Sequence, residues 1–453
     1  MLALTWPGRS WAPGARVPRA INPDPVERCG AEENRLIAGD ALDVADALAA
    51  EGLVGRVDLV YVDPPYASQT DYVHEARLDG PADGRVRRTH AYADRWLEGG
   101  GVGTYLDMLA PRLEAAAKLL ASTGTLWVHL DWRAAYLVRV LLDEIVGRDR
   151  FINEIVWRRA PNLGRQAASG QFGRTVDTIV VYGGPEARLV PPTRLEVIEP
   201  RAVRRDELGR AFTTAPRGDY TDASIARLER EGRVHRTASG RVYVKYCLVQ
   251  DERGNFCRER RVDTLWTDVP PLRHAAVGER TGFPTQKPRA LLERIIRCSA
   301  PEGGLVVDLF AGSGTTGEAA HATGRRFIVG DRSQVAVATA RARLLRAGAA
   351  FVLQRCAADS EPPAKEPRVQ VRRVDSDRLA VDLLLPREPL AWAVDPAFDD
   401  TRPFSCEWHS ERKPGVRPRP AEREAVVARR GGRLGVRVYE DDGAVATVVS
   451  EPP

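Results

Sequence analysis

An apolar run, Val57-Asp58-Leu59-Val60-Tyr61-Val62, halts at two consecutive prolines in Asp63-Pro64-Pro65-Tyr66. Such a run suits a parallel strand buried on both faces, and a proline pair ends it. The flanking segments follow the same logic. Asn34-Arg35-Leu36-Ile37 predicts a short strand running into Gly39-Asp40, with a helix through Val44, Leu48 and Leu53 behind it. After a polar loop from about Ser68 to Gly103, Leu106, Leu109, Leu113 and Leu120 mark one helical face, with Pro111 expected to kink it. Gly124 to Leu130 predicts another strand, and Asp131 is placed to cap a helix through Leu137, Val140, Leu141 and Ile145. Strands alternating with helices define an α/β fold.

From about 151 to 280 the pattern changes. Glu154-Ile155-Val156-Trp157 and Thr178 to Tyr182 predict paired strands that belong to or border the core, and an Arg-rich, Gly-punctuated stretch follows. The α/β pattern resumes with Pro288, a helix through Leu291, Leu292, Ile295 and Ile296, and a strand from Gly304 to Phe310. A second strand, Arg326 to Gly330, ends at Asp331. The domains expected are a flexible arm (1–30), a first core part (31–150), an insertion (151–280), a second core part (281–356), a linker (357–367) and a small all-β domain (368–453). Within the last, Gly435 to Glu440 and Ala444 to Val449 predict a hairpin around Asp441-Asp442-Gly443.

Composition excludes more than it selects. Of 453 residues 43% are hydrophobic and 28% charged, which is a folded globular composition. The net charge of +5 permits a nucleic-acid partner without requiring one. Six scattered cysteines contain no C-x-x-C pair, and Cys406 with His409 is a lone C-x-x-H, so no metal site and reduced thiols are expected. No apolar run approaches a membrane span, and the location expected is cytoplasmic.

The chemistry concentrates in two loops. In Phe310-Ala311-Gly312-Ser313-Gly314, between strand and helix, glycines let backbone amides approach a ligand, and Asp331 at the end of the next strand is placed for ribose hydroxyls. That pairing implies an adenosine-bearing cofactor. In Asp63-Pro64-Pro65-Tyr66 the prolines stiffen the backbone, so Asp63 and the Pro64 carbonyl can both accept hydrogen bonds from one amino group. An aryl amine is a poor nucleophile because its lone pair is delocalised; two fixed acceptors turn that lone pair toward a methyl donor. Tyr66 offers a flat face for a base that has left its stack.

With these residues in place, the chain resembles the β class of DNA amino-methyltransferases, and within it the modification subunits of type III restriction systems. The resemblance covers roughly residues 34 to 350 and runs in order through Gly39-Asp40, Asp63 to Tyr66, Gly124 to Asp131, Asn153 to Trp157, Leu265 to Asp268, Thr285-Gln286-Lys287-Pro288 and Asp308 to Thr316. It implies a permuted Rossmann-like methyltransferase core with a mixed target-recognition insertion. It also implies that Asp308, Phe310, Gly312, Gly314 and Thr315 hold S-adenosylmethionine, with Asp331 on its ribose, Asp40 on its adenine amine and Lys287 near its carboxylate. Asp63, Pro64, Pro65 and Tyr66 would bind and activate the base, and Trp157 would help enclose it, a core role being the alternative. Ala67 and Ser68 depart from the Asn and Thr frequent in that class.

The function these features imply is transfer of a methyl group to N6 of a flipped adenine in double-stranded DNA. N4 of cytosine is the alternative, since one geometry serves either amine. A binding-only recognition subunit is a rival that intact Asp63 and Tyr66 oppose. A nicotinamide-dependent dehydrogenase is another, and it leaves Asp63 to Tyr66 unexplained. No Pro-Cys motif offers a covalent route. A homodimer is compatible with the resemblance, and any ATP-driven restriction activity requires a separate subunit, because no P-loop is present.

Overall fold

The computed structural model describes residues 3–15, 18, 23–30, 34–77, 86–96, 101–161, 170–356, 367–384, 389–413, 420–430 and 432–451. The chain opens with β1 (Asp24–Cys29), β2 (Arg35–Ala38), α1 (Ala41–Ala50) and β3 (Val57–Val62). A hairpin follows, β4 (Thr70–Arg77) and β5 (Val86–Asp94), then α2 (Val102–Lys118), β6 (Leu120–Leu130), α3 (Ala135–Leu142), β7 (Phe151–Arg158) and β8 (Val176–Gly183). Residues Pro191–Asp263 form a separate compact unit, while all other segments make up the main one.

Within the smaller unit lie β9 (Thr193–Val197), β10 (Arg204–Arg205), β11 (Ala211–Pro216), α4 (Asp222–Arg230), β12 (Val234–Arg236), β13 (Val242–Cys247), β14 (Val249–Gln250) and β15 (Phe256–Arg261). They make a four-stranded sheet, β10-β11-β13-β12, and a three-stranded one, β14-β15-β9. Ile225 and Leu228 of α4 pack on Val244 of β13 as its core. The strands expected to belong to or border the core, β7 and β8, are in the main sheet, and the separate unit runs from Pro191 to Asp263, inside the expected 151–280 stretch.

The main unit resumes with β16 (Leu265–Trp266), α5 (Arg289–Ser299), β17 (Leu305–Asp308), α6 (Thr315–Ala322), β18 (Arg326–Asp331), α7 (Gln334–Arg346) and β19 (Phe351–Arg355). It ends in β20 (Arg368–Arg373), β21 (Arg378–Leu384), β22 (Ala391–Phe398), β23 (Phe404–Ser405), β24 (Trp408–Glu411), β25 (Glu424–Ala428), β26 (Arg433–Tyr439) and β27 (Val445–Ser450). Eleven strands form the main sheet in the order β16-β7-β8-β6-β3-β17-β18-β2-β19-β1-β23, and the six from β6 to β19 are mutually parallel.

Strand β17, late in the chain, therefore lies between β3 and β18, with Asp308 opposite Tyr61 and Val329. That register sets the Asp63 tetrapeptide beside the Phe310 loop. Strand residues divide by parity, as a sheet covered on both faces requires. Val60, Val62, Val307 and Ile328 pack with α1, α2 and α3, whereas Gly317 of α6 meets Phe327 and Val329 on the other face.

Several expectations change. Leu120 starts β6 rather than ending the preceding helix, which stops at Lys118 with Pro111 inside it. The expected polar loop contains the β4–β5 hairpin, whose register runs from Thr70–Asp94 to Arg77–Val86. In the expected flexible arm, Asp24–Cys29 is a strand antiparallel to β19, and Trp11 is buried with its indole donating to Glu114 of α2 at 3.0 Å. Proline and arginine hid the anchoring tryptophans. Residues 357–366 of the expected linker lie outside the described residues.

The C-terminal β region packs two sheets, β20-β21-β25 and β24-β22-β26-β27, around Leu379, Val381, Trp392, Val394, Val427 and Val436. The expected hairpin is present, with Gly443 in its turn at φ +83°. This region is stitched to the core. Strand β23 extends the main sheet beside β1, and Glu27 of β1 accepts from Arg341 of α7 at 2.6 and 2.8 Å and from the Tyr439 hydroxyl. Cys29 and Cys406 adjoin Glu27, whose oxygens are committed to these donors. His409 turns to Glu411 at 2.6 Å, so Cys406 and His409 take different partners. Among the described residues, no helix is long and apolar enough to cross a membrane.

Candidate active site

At the carboxyl ends of β3, β17 and β18 opens a cavity of about 480 Å³. Ligands in open α/β sheets bind at such edges. Its wall includes Asp63, Pro64, Pro65 and Tyr66 after β3, and Asp308, Phe310, Gly312 and Thr315 after β17. Asp40, Lys287 and Asp331 complete the residues that the sequence brought together there.

Tyr66 donates to Asp63 Oδ1 at 2.5 Å, and Lys287 Nζ ion-pairs with Asp63 Oδ2. Burial, and then the Asp63 charge, push the Tyr66 phenol far above its ordinary pKa, so it remains a donor. Its ring stacks on His129 at 6.2 Å between centroids. His129 is held by the Tyr61 hydroxyl at 2.9 Å and by Asp177 at 3.2 Å, and Asp177 also accepts from Arg159 at 2.6 Å. The tyrosine face is thus backed by a fixed network. Trp157 lies behind His129, edge-on at 5.7 Å, with its indole bonded to the Val269 carbonyl at 3.0 Å. It is 3% exposed and absent from the cavity wall, so it is a core residue rather than a cover for the base.

The opposite wall is built around two carboxylates, Asp308, which is buried, and Asp331, which is partly buried. Asp308 accepts from the Phe310 amide at 2.9 Å and the Thr316 hydroxyl at 2.5 Å, and Asp331 accepts from the Gly312 amide and the Ser333 amide, both at 2.8 Å. Burial raises both, Asp308 to about 7 and Asp331 to about 6. Gly312 takes φ +51°, which suits glycine. Gly314 instead faces α7: a Cβ there would stand 2.7 Å from that of Ala340. Its place is the close approach of loop to helix, not the cavity. Asp40 caps α1 through the Leu42 amide at 2.9 Å and pairs with Arg112 at 2.7 Å.

Sequence reasoning missed the remaining walls. Tyr92 of β5 stacks on Tyr72 of β4 at 4.8 Å and lies against Phe283, giving the cavity an aromatic side. Asp94 accepts from the amides of Tyr66, Ala67 and Ser68, the Ser68 hydroxyl and the Trp96 indole. Ala67 in that set stands at φ +55°, and Gln69, whose amide donates to the Asp94 carbonyl at 2.9 Å, stands at φ +61°, both strained for residues with a Cβ. The alternating Tyr72, His74, His90 and Tyr92 were the available signal.

The cavity thus lies at the switch point of a parallel sheet, between a glycine loop with two acids and the Asp63 carboxylate, the edge where α/β enzymes bind their ligands. The sequence model of the DNA methylase family matches residues 57–341, and the chain belongs to that family. It is 27% identical over 333 residues to the type II methyltransferase M.EcaI of Enterobacter cloacae, covering 68% of each chain. It is 26% identical over 334 residues to the StyLTI Mod subunit of a type III restriction-modification enzyme from Salmonella typhimurium, covering 63% of this chain and 49% of that one. It thus spans about half the length of that Mod subunit. A 64-residue stretch is 52% identical to the DNA adenine methyltransferase YhdJ of Escherichia coli, covering 14% of this chain and 21% of that one. The crystal structure of the M1.HpyAVI–SAM complex aligns with a TM-score of 0.39 at 16% identity, over 68% of this chain and 98% of that one.

Proposed function

We propose that this methylase transfers the methyl group of S-adenosylmethionine to N6 of an adenine turned out of double-stranded DNA. The observation that carries this reading is that Asp63 and Tyr66 occupy one wall of a cavity whose other wall is the Phe310–Thr315 loop. The cofactor supplies an electrophilic methyl on a sulfonium. Gly312, Phe310 and Thr315 would hold it, and Asp331 and Asp308 suit its hydroxyls and positive charge. Asp63 would accept from the amine, so that the lone pair faces the methyl. Once methylated, the amine nitrogen would shed its extra proton, for which Asp63 would be an acceptor.

The likeness to YhdJ favours adenine, although a cytosine amine presents the same pair of hydrogens. The unit Pro191–Asp263 suits target recognition: it holds fifteen Arg and one Lys against twelve Asp and Glu, most of the chain's net charge. Methyl label from S-adenosylmethionine is expected in mixed-sequence duplex DNA. Binding of both without incorporation would instead favour a recognition subunit that does no chemistry.

Cofactor affinity should depend on pH. Asp308 and Asp331 lie near each other's charge and those of Asp63 and Asp40, and burial raises them to about 7 and about 6. A sulfonium favours their ionised forms, so binding releases protons and affinity rises with pH through that range. Isothermal titration is expected to show about tenfold weaker binding at about pH 5.5 than at about pH 7.5. A flat profile would contradict the assignment.

A further inference from the structure

Asp63 is already engaged: Tyr66 donates to one oxygen and Lys287 pairs with the other. This arrangement opposes the chemistry assigned to the site, because an ammonium beside Asp63 competes for the acceptor that a base amine needs. It also places a positive charge where the attacking nitrogen becomes cationic. Lys287 is 8% exposed, with Nζ 5.1 Å from the centre of the Tyr66 ring and 3.4 Å from the Thr285 carbonyl.

Its backbone is firmly held. Thr315 of the cofactor loop donates to the Lys287 carbonyl at 3.3 Å, and Gln286 is bonded to Thr281 and Glu279. Only the flexible four-carbon side chain is free to change partners. The same cavity presents Arg112, committed to Asp40, whereas Lys287 stands between the base wall and the cofactor loop.

We propose that Lys287 is a latch that closes Asp63 until an anionic group draws the ammonium away, and that this group is the carboxylate of the methyl donor. The proposal rests on S-adenosylmethionine being the cofactor. Lys287 is then a positioning residue: it spends the free state on Asp63 and the loaded state on the carboxylate. Asp63 becomes available to the base only once the methyl donor is in place, which imposes an order, cofactor before base, and prevents futile capture of a flipped base.

Calorimetry with two probes tests this without turnover. S-Adenosylhomocysteine carries the carboxylate; methylthioadenosine lacks it. Freeing Lys287 by Asp63→Asn should tighten S-adenosylhomocysteine binding about tenfold, a usual size for coupling between sites, and leave methylthioadenosine unchanged. In a Lys287→Met background the Asp63→Asn effect should shrink to within about twofold. The latch is wrong if Asp63→Asn does not tighten binding, or tightens it equally in Lys287→Met, which would signify simple charge repulsion. Wild-type protein that binds neither probe would overturn the cofactor reading itself. Unchanged melting temperatures certify that each variant is folded.

Discussion

Asp63→Ala should cut methyl transfer by about 10³-fold without weakening cofactor binding. Removing a single preorganised hydrogen-bonding group at a reacting centre costs about 10²–10³ in rate, and in the proposed reaction Asp63 both orients the amine and takes its proton. The carboxylate's two partners are Tyr66 and Lys287, both on the cavity wall, so the fold has little to lose. Initial rates with labelled S-adenosylmethionine measure the effect, and a loss below about tenfold would remove Asp63 from the chemistry.

Arg341→Met should lower unfolding free energy by about 3–5 kcal/mol, as breaking one side of a buried ion pair typically does. Arg341 is 1% exposed and Glu27 fully buried, and their two hydrogen bonds join the first strand to the last helix of the core. The guanidinium also lies 3.6 Å from the centre of the Tyr439 ring in the C-terminal sheet. Burial alone would raise the Glu27 pKa, but Arg341 holds it below the usual value, so the pair's contribution is present above the unfolded pKa and lost on acidification through the folded one. Removing Arg341 strands that carboxylate. Urea unfolding measures the loss, and the double change Glu27→Leu with Arg341→Met should recover much of it. A single-variant loss under about 1 kcal/mol would mean that the knot contributes little.

Much of the parallel core was legible because β2, β3 and β17 are short apolar runs that stop at a glycine or proline turn, whereas β19 was not anticipated. The adjacency of β3 and β17, which sets the Asp63 segment beside the Phe310 loop, comes from the sheet register. What escaped was set by tertiary partners. Trp157 looks the same in sequence whether it faces a base or backs His129, and only the register of β7 against β8 and β16 places it inside. Lys287 was expected near a cofactor carboxylate, but its contact with Asp63 joins residues 224 positions apart. Asp94 and the Tyr72–Tyr92 pair sat in a stretch whose polar residues masked its two-residue alternation. Gly314 was legible as a required glycine, and its φ of +76° together with the close approach of α7 is why the position needs one.

The central claim is that this site methylates an exocyclic adenine amine. Its most direct test is to treat mixed-sequence duplex DNA with the purified protein and S-adenosylmethionine, digest to nucleosides and identify the methylated product by mass. The predicted product is N6-methyldeoxyadenosine, absent with Asp63→Ala; N4-methyldeoxycytidine would contradict the choice of base, and no methylated nucleoside would contradict the enzyme.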